Sequence, residues 1–148
     1  MRSLNSKERI AYDNVLCWCR NKVKNTHSLK PEIIKPIYLF ISGCAGAGKS
    51  HLIKAIFHTT VKTFRHATTN PGLSTVLLMA PAGVSAININ GTTVNSALAI
   101  PKQAGDNLPA MSDQKKTQMR VFLSELKLII IGEISMVSNV TLVHIGDL

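Results

Sequence analysis

Residues 43–50 fit the spacing Gly-x-x-x-x-Gly-Lys-Ser/Thr of a phosphate-binding loop. In such a loop, backbone N–H groups converge on phosphate oxygens at the positive end of the following helix. Gly43 and Gly48 predict backbone angles or close approaches that a Cβ would prevent. Lys49 can reach the β- and γ-phosphates, and the Ser50 hydroxyl can bind Mg²⁺. The predicted nucleotide contacts in this loop are Gly43, Cys44, Ala45, Gly46, Ala47, Gly48, Lys49 and Ser50.

The sequence on both sides of this loop has the pattern that a phosphate-binding loop requires. An apolar run rich in β-forming residues predicts a strand over 37–42. Apolar residues at helical spacing then predict a helix from Lys49 to about Phe64. Strand, loop and helix follow in the order that the motif needs, which favours a nucleotide site over a glycine-rich turn that binds nothing.

A second group of candidate residues follows a buried strand predicted over 128–131. Gly132 and Glu133 occupy the positions where ATPases normally have Asp-Glu, at the end of a Walker B strand. In that pair the Asp holds Mg²⁺, and the Glu orients or deprotonates the attacking water. Glu133 is therefore a candidate catalytic residue together with Lys49, whereas Gly132 supplies no carboxylate to a metal. The alternative interpretation is a plain buried strand that ends in a turn.

Strands and helices alternate along the whole chain, which predicts an α/β fold of the P-loop NTPase type with a parallel sheet. Ligands should then lie outside the carboxyl ends of the strands. A helix predicted over 112–126 has one apolar face, formed by Met119, Phe122, Leu123 and Leu126. The other predicted elements are a helix over 4–24 with Asn5 as N-cap and Glu8 three residues on, a polar connector over 25–36, a turn over 67–73, a strand over 74–80, a short helix over 83–89, a loop over 101–110 and a last helix from about Val137.

The positive charge is concentrated in the first half of the sequence. The formal net charge of the 148 residues is +9, and residues 1–66 contain 12 Lys and Arg against 3 Asp and Glu. Such an excess fits a polyanionic partner, either nucleotide or nucleic acid, although a solvated basic face is the alternative. No apolar run approaches the ~18 residues of a membrane span, so we expect no membrane partner.

Three cysteines in a chain without an export signal predict reduced thiols. Cys17 and Cys19, with His27 nearby, could suggest a metal site. A single Cys-x-Cys lacks the second pair of ligands that a zinc site needs. The sequence therefore favours a buried helix face at this position.

Further segments form a pattern together with the two motifs. Residues 80–86 read Ala-Pro-Ala-Gly-Val-Ser-Ala, and residues 91–98 read Gly-Thr-Thr-Val-Asn-Ser-Ala-Leu. Residues 4–13 open the chain with Leu-Asn-Ser-Lys-Glu-Arg-Ile-Ala-Tyr-Asp. Together with residues 43–50 and 128–136, these segments follow one another in the order found in the Pif family of superfamily-one DNA helicases. The sequence resembles this family, and most closely its diverged copies associated with Helitron-type transposons.

The resemblance implies an ATP-dependent 5′-to-3′ DNA helicase that uses Mg²⁺ and acts in DNA repair, recombination and telomere maintenance. It implies a RecA-like three-layer α/β/α fold, with residues 37–148 as part of the first motor domain. Residues 1–36 would be an N-terminal helix and connector, in which Glu8 contacts adenine. The implied contacts with single-stranded or duplex DNA are Pro81, Ala82, Gly83 and Asn95. The resemblance also implies a soluble, intracellular and nuclear protein, expected to be a monomer.

The sequence departs from the family pattern at four of these positions. Glu8 replaces a Gln, and an ionised carboxylate can only accept hydrogen bonds. Ala82 replaces a Thr, Asn95 replaces a His, and Gly132 replaces the Walker B Asp. The later motifs and the second motor domain are not in this sequence. The alternative function is therefore a truncated, catalytically impaired remnant that binds nucleotide or single-stranded DNA without unwinding. Another class of P-loop enzyme is a third interpretation, but a GTPase is disfavoured because no Asn-Lys-x-Asp follows the loop.

Overall fold

The computed structural model describes residues 3–65, 67–100 and 112–146. Backbone contacts divide the chain into two compact units, Met1–Thr69 and Asn70–Leu148. None of the helices described is long and apolar enough to cross a membrane. The elements are α1 (Ser6–Thr26), α2 (Lys49–Phe64), β1 (Val76–Ala80), α3 (Gly83–Ile89), β2 (Thr92–Thr93), α4 (Val94–Ala97), α5 (Asp113–Leu123), β3 (Leu128–Ile131), a 3₁₀ turn (Ile134–Met136) and α6 (Asn139–Gly146).

The first unit begins with the helix that the sequence predicts, and the predicted cap is confirmed. The Glu8 backbone N–H donates to Asn5 Oδ1 at 2.9 Å, and the Asn5 backbone N–H donates to Glu8 Oε2 at 2.8 Å. This reciprocal pair is a capping box, which satisfies two N–H groups that the first turn of a helix otherwise leaves without partners. The cap therefore determines where α1 begins.

The second helix of this unit, α2, has the bounds that the sequence predicts, and it packs against α1. Leu52, Ile56 and Phe64 lie at helical spacing and are buried. Across the contact, the Tyr12 hydroxyl lies 2.8 Å from Thr59 Oγ1, and both groups are half-buried. The amphipathic pattern of α2 thus supplies one face of the core of this unit.

The strand predicted over 37–42 is not formed. No strand is assigned to these residues, and Tyr38 and Phe40 are 90% and 75% exposed. An apolar, β-branched run favours an extended backbone, but a strand also needs a neighbouring strand to complete its hydrogen bonds. The described sheet consists of three other strands, and this segment is not one of them.

The second unit is built on a parallel sheet, as the alternation of elements predicts. Within the described residues its strand order is β2-β1-β3, and both pairs of neighbours are parallel. All five residues of β1 are buried, which is typical of a strand with both faces covered. β3 was expected to be buried, but its four residues are only half-buried, since β3 has β1 as a neighbour on one side alone in the described sheet.

Apolar residues from β1, α4 and the segment after α4 form the core of the second unit. Leu77 and Met79 of β1 pack with Val94, Leu98 and Ile100. The helix predicted over 112–126 is shorter, as α5, and its predicted apolar face is only partly used. Leu123 and Leu126 pack against the core, whereas Phe122 is 41% exposed.

Two short elements, β2 and α4, were not predicted from the sequence. β2 has two residues, too few for any periodicity, and it is identified by its pairing with Met79 and Ala80 of β1. Thr93 caps α4, because its Oγ1 accepts from the Ser96 backbone N–H at 3.2 Å. The loop predicted over 101–110 lies outside the described residues.

Candidate functional site

The predicted phosphate-binding loop, residues 43–50, lies in the first unit and leads directly into α2. Lys49 is the first residue of α2, and its Nζ donates to the backbone carbonyls of Gly43 at 2.6 Å and Cys44 at 2.9 Å. These contacts hold the ammonium group over the loop, where the motif requires it. Ser50, the next residue, is exposed, so its hydroxyl is accessible to a ligand.

The backbone of the loop needs glycine at two positions, which differ partly from those the sequence predicts. Gly48 has φ 92° and Gly46 has φ 76°, in the left-handed region that side chains disfavour. The sequence also predicted that Gly43 could not be replaced by a residue with a Cβ. As far as contacts within the chain are concerned, this prediction is wrong. A Cβ at Gly43 would lie 3.4 Å from Ala47 Cβ, an ordinary contact. Ala45 and Ala47 lie exposed in the same loop.

A cavity of about 300 Å³ joins the loop to the start of α1. Gly43, Cys44 and Lys49 line one part of it, and Asn5 and Glu8 line another. The first unit therefore brings Glu8 to the same cavity as the phosphate-binding loop. Glu8 is only 6% exposed, and its Oε2 is engaged in the helix cap. Its carboxylate thus forms the predicted helix cap and also lines this cavity.

The residues expected to contact DNA lie in the second unit, at the carboxyl edge of the sheet. Pro81, Ala82 and Gly83 directly follow β1, and Asn95 lies in α4, just after β2. Because β1 and β2 are parallel neighbours, these residues leave the sheet at the same edge. Pro81, Ala82 and Asn95 are half-buried and Gly83 is exposed.

The residues at the end of β3 lie at this same edge. The Gly132 backbone N–H donates to the Met79 carbonyl at 2.9 Å, which continues the ladder between β3 and β1. Gly132 is buried, and a Cβ at this position would lie 3.2 Å from Ile89 Cδ1. An apolar side chain of α3 therefore crowds the position at which the sequence pattern would place a Walker B Asp.

Glu133 is held in an unusual backbone conformation beside α3. Its φ and ψ are 53° and 47°, a left-handed conformation that is uncommon for a residue with a long side chain. The Ser85 hydroxyl donates to Glu133 Oε2 at 2.5 Å. Strained backbone of this kind persists where the surrounding structure fixes it, and it is frequent at functional sites. The carboxylate is thus oriented by Ser85, a residue of the segment 80–86.

Ser85 is a residue that sequence reasoning did not single out. It lies in the quoted segment 80–86, but a serine in the first turn of a helix gives no signal of a distant partner. Only the parallel pairing of β1 with β3 brings it to Glu133. Lys49 lies in the first unit and Glu133 in the second, so each candidate catalytic residue belongs to its own cluster.

One of the three cysteines is buried and the other two are exposed. Cys19 is buried, and burial raises the pKa of its thiol to about 12. Cys17 and Cys44 are exposed. The helix-face interpretation of Cys17 and Cys19 therefore holds for Cys19 and is wrong for Cys17. In the part of the chain that the structure describes, no three His, Cys, Asp or Glu side chains come together in a way that could hold a metal.

A comparison with protein families places the chain among helicases. The family model described as PIF1-like helicase matches residues 23–145. A search of curated proteins found no match, and a search of solved structures found none either.

Proposed function

The chain belongs to the PIF1-like helicase family, and we propose that it is an ATP-dependent DNA helicase in which residues 43–50 bind the triphosphate. The observation that carries this proposal is the cavity shared by the phosphate-binding loop and the start of α1, with Lys49 held over the loop. We assign residues 37–148 to the first RecA-like, three-layer motor domain, and residues 1–36 to the helix and connector before it.

The first unit supplies the groups that would hold the nucleotide. The loop N–H groups and Lys49 would bind phosphate oxygens in place of the carbonyls of Gly43 and Cys44, and Glu8 would lie beside the base. Mg²⁺, when bound, neutralises charge on the phosphates during their transfer. Ser50 would hold this ion, and Gly132 brings no carboxylate to it.

The second unit supplies the groups that would act on water and DNA. Glu133 would accept the proton of the attacking water, and Ser85 fixes the direction in which its carboxylate points. Pro81, Ala82, Gly83 and Asn95 would contact a DNA strand along the carboxyl edge of the sheet. We propose 5′-to-3′ movement, a nuclear location, roles in DNA repair, recombination and telomere maintenance, and kinship with Helitron-type copies on the family resemblance alone.

A second candidate function is supported by Gly132. Loss of one well-placed electrostatic group commonly lowers a rate by about 10²–10³. The chain would then bind nucleotide or single-stranded DNA and hydrolyse ATP very slowly. This candidate shares the nucleotide site with the first and differs from it in turnover.

One experiment separates the two functions. ATP hydrolysis is measured with and without single-stranded DNA in the native chain, in Lys49→Ala, and in Gly132→Asp combined with Ile89→Val. DNA-stimulated hydrolysis in the native chain, lost in Lys49→Ala, supports the helicase. Hydrolysis that appears only in the variant with both Gly132→Asp and Ile89→Val supports the second candidate function, a chain impaired in hydrolysis. If the native chain binds no nucleotide, the helicase is rejected, and if it binds neither nucleotide nor single-stranded DNA, both functions are rejected.

A further inference from the structure

Three side chains on one face of α1 hold the segment that leads to the phosphate-binding loop. Trp18 Nε1 donates to the Lys35 carbonyl at 2.9 Å, and Lys22 Nζ donates to the Ile34 carbonyl at 2.8 Å. Asn25 makes two hydrogen bonds to the backbone of Glu32, at 2.7 Å from its Nδ2 and at 2.8 Å to its Oδ1. Because positions 18, 22 and 25 follow helical spacing, the three side chains project from the same face. We call this set of contacts the connector clamp.

The spacing of the connector clamp matches the geometry of the two segments. The connector and α1 run antiparallel, since residue 25 contacts residue 32 and residue 18 contacts residue 35. Seven residues of a helix rise about 10 Å, and three extended residues span about 10 Å. All the hydrogen bonds can therefore form together, and they fix the register of the connector along α1.

Trp18 ties the connector clamp to the second helix of the unit. Its ring packs edge-on against Phe64, the last residue of α2, with ring centroids 6.3 Å apart. The Lys22 ammonium lies 5.5 Å from the centroid of the Trp18 ring, within the range of a cation–π contact. The clamp thus attaches the connector to both helices of the first unit.

The other end of α1 forms a wall of the candidate nucleotide cavity. Asn5 and Glu8 line that wall, and Gly43 and Lys49 line the loop side. Only seven residues separate Lys35 from Gly43. We propose that Trp18, Lys22 and Asn25 are positioning residues that set the distance between the phosphate-binding loop and the α1 wall.

This inference rests on the proposed nucleotide site and adds a consequence for specificity. A triphosphate group contacts the loop alone, whereas the nucleoside must also reach the α1 wall. Loosening the clamp should therefore weaken the binding of ATP more than the binding of inorganic tripolyphosphate. General destabilisation of the fold would weaken both equally, so the ratio of the two affinities reports on positioning.

The test compares these two ligands by titration calorimetry, each with Mg²⁺, well below the melting temperature. Trp18→Phe keeps an aromatic ring, although a smaller one, and removes the N–H donor. Asn25→Ala removes both hydrogen bonds to the backbone of residue 32. In the double variant we expect the Kd for ATP to rise about three- to tenfold, since each lost hydrogen bond has a modest net effect. The Kd for tripolyphosphate should stay within about twofold. Arg20→Gln, an exposed change on α1, is the matched control and should alter neither Kd.

Several outcomes would overturn the proposal. Equal weakening of both ligands would mean that the clamp only stabilises the fold, and unchanged affinities would mean that it does not position the loop. If the native chain binds ATP no more tightly than tripolyphosphate, the α1 wall does not contact the nucleoside. That result would overturn the proposal but would still support phosphate binding by the loop. A native chain that binds neither ligand would reject the proposed function itself. If the double variant does not fold, Trp18→Phe alone gives the same comparison with a smaller expected change.

Discussion

Gly48 and Gly43 occupy the two fixed glycine positions of the loop, and their backbones make different demands. Gly48 has φ 92° and immediately precedes α2, whereas a Cβ at Gly43 would make an ordinary contact with Ala47. A left-handed backbone costs a residue with a side chain roughly 1–2 kcal/mol. The conformation of the loop therefore depends on Gly48 and not on Gly43.

This difference predicts the result of a matched pair of substitutions. Gly48→Ala should lower the free energy of unfolding by about 1–2 kcal/mol, because alanine must adopt the left-handed conformation. Gly43→Ala should change it by less than about 0.5 kcal/mol. Urea denaturation followed by circular dichroism measures both. Equal losses in the two variants would show that φ at Gly48 is not the source of the effect.

Cys19 offers a residue-scale test of the core between α1 and α2. Burial raises the pKa of its thiol to about 12, above a value of about 8.5 for an unfolded cysteine. The neutral thiol is thus favoured in the folded chain. The stability that this provides is complete below about pH 8.5 and is lost as the pH rises toward about 12.

We therefore predict that Cys19 reacts much more slowly than the exposed Cys17 and Cys44 with a thiol reagent at pH 8. Only the thiolate is reactive, and it must also be accessible. Mass spectrometry after brief alkylation should find Cys17 and Cys44 modified, and Cys19 modified only in denaturant. Rapid modification of Cys19 in the native chain would contradict the packing of α1 on α2.

At the scale of elements, α3 and the end of β3 are fitted to each other around Gly132. Ile89 Cδ1 would lie 3.2 Å from a Cβ at position 132, closer than most such contacts. Restoring an Asp there introduces both a crowded Cβ and a carboxylate at a buried position. Gly132→Asp should therefore destabilise the chain by about 1–3 kcal/mol.

Ile89→Val removes the crowding methyl group and should make the Gly132→Asp change easier to tolerate. Ile89→Val alone costs about 0.5–1.5 kcal/mol. Because the two sites are in contact, the double variant should be more stable than the sum of the single changes predicts, by about 1 kcal/mol. A double-mutant cycle by thermal denaturation measures this coupling, and strict additivity would mean that Ile89 does not limit the residue at 132.

The elements with strong local signals were predictable from the sequence. Glu8 three residues after Asn5 indicated the start of α1, and apolar spacing gave the bounds of α2. The prediction of a strand over 37–42 was wrong because a strand needs a neighbouring strand, which the local sequence does not specify. The contact between Ser85 and Glu133 joins residues 48 positions apart in sequence, so it depends on sheet pairing that no local pattern contains.

At the scale of the whole molecule, charge is distributed unevenly between the two halves of the chain. The formal net charge is +9, and residues 67–148 contain equal numbers of basic and acidic residues. α2 contains no Asp or Glu, Lys54 and Lys62 lie on it, and Arg65 follows its last residue, three positions after Lys62. Like charges at such spacing destabilise a helix slightly unless a polyanion lies against them.

The charge distribution predicts that the cations on α2 and at its C-cap, Arg65, strengthen binding to single-stranded DNA more than cations on α5 do. Changing Lys54, Lys62 and Arg65 to Gln removes three charges, and so does changing Lys115, Lys116 and Arg120. The α2 variant should bind poly(dT) at least about tenfold more weakly at low salt, and its slope of log affinity against log salt should be shallower by up to about 2. The α5 variant should differ from the native chain by less than about twofold. Fluorescence anisotropy over a salt series measures both, and equal losses would show that net charge, rather than its position in the first unit, governs binding.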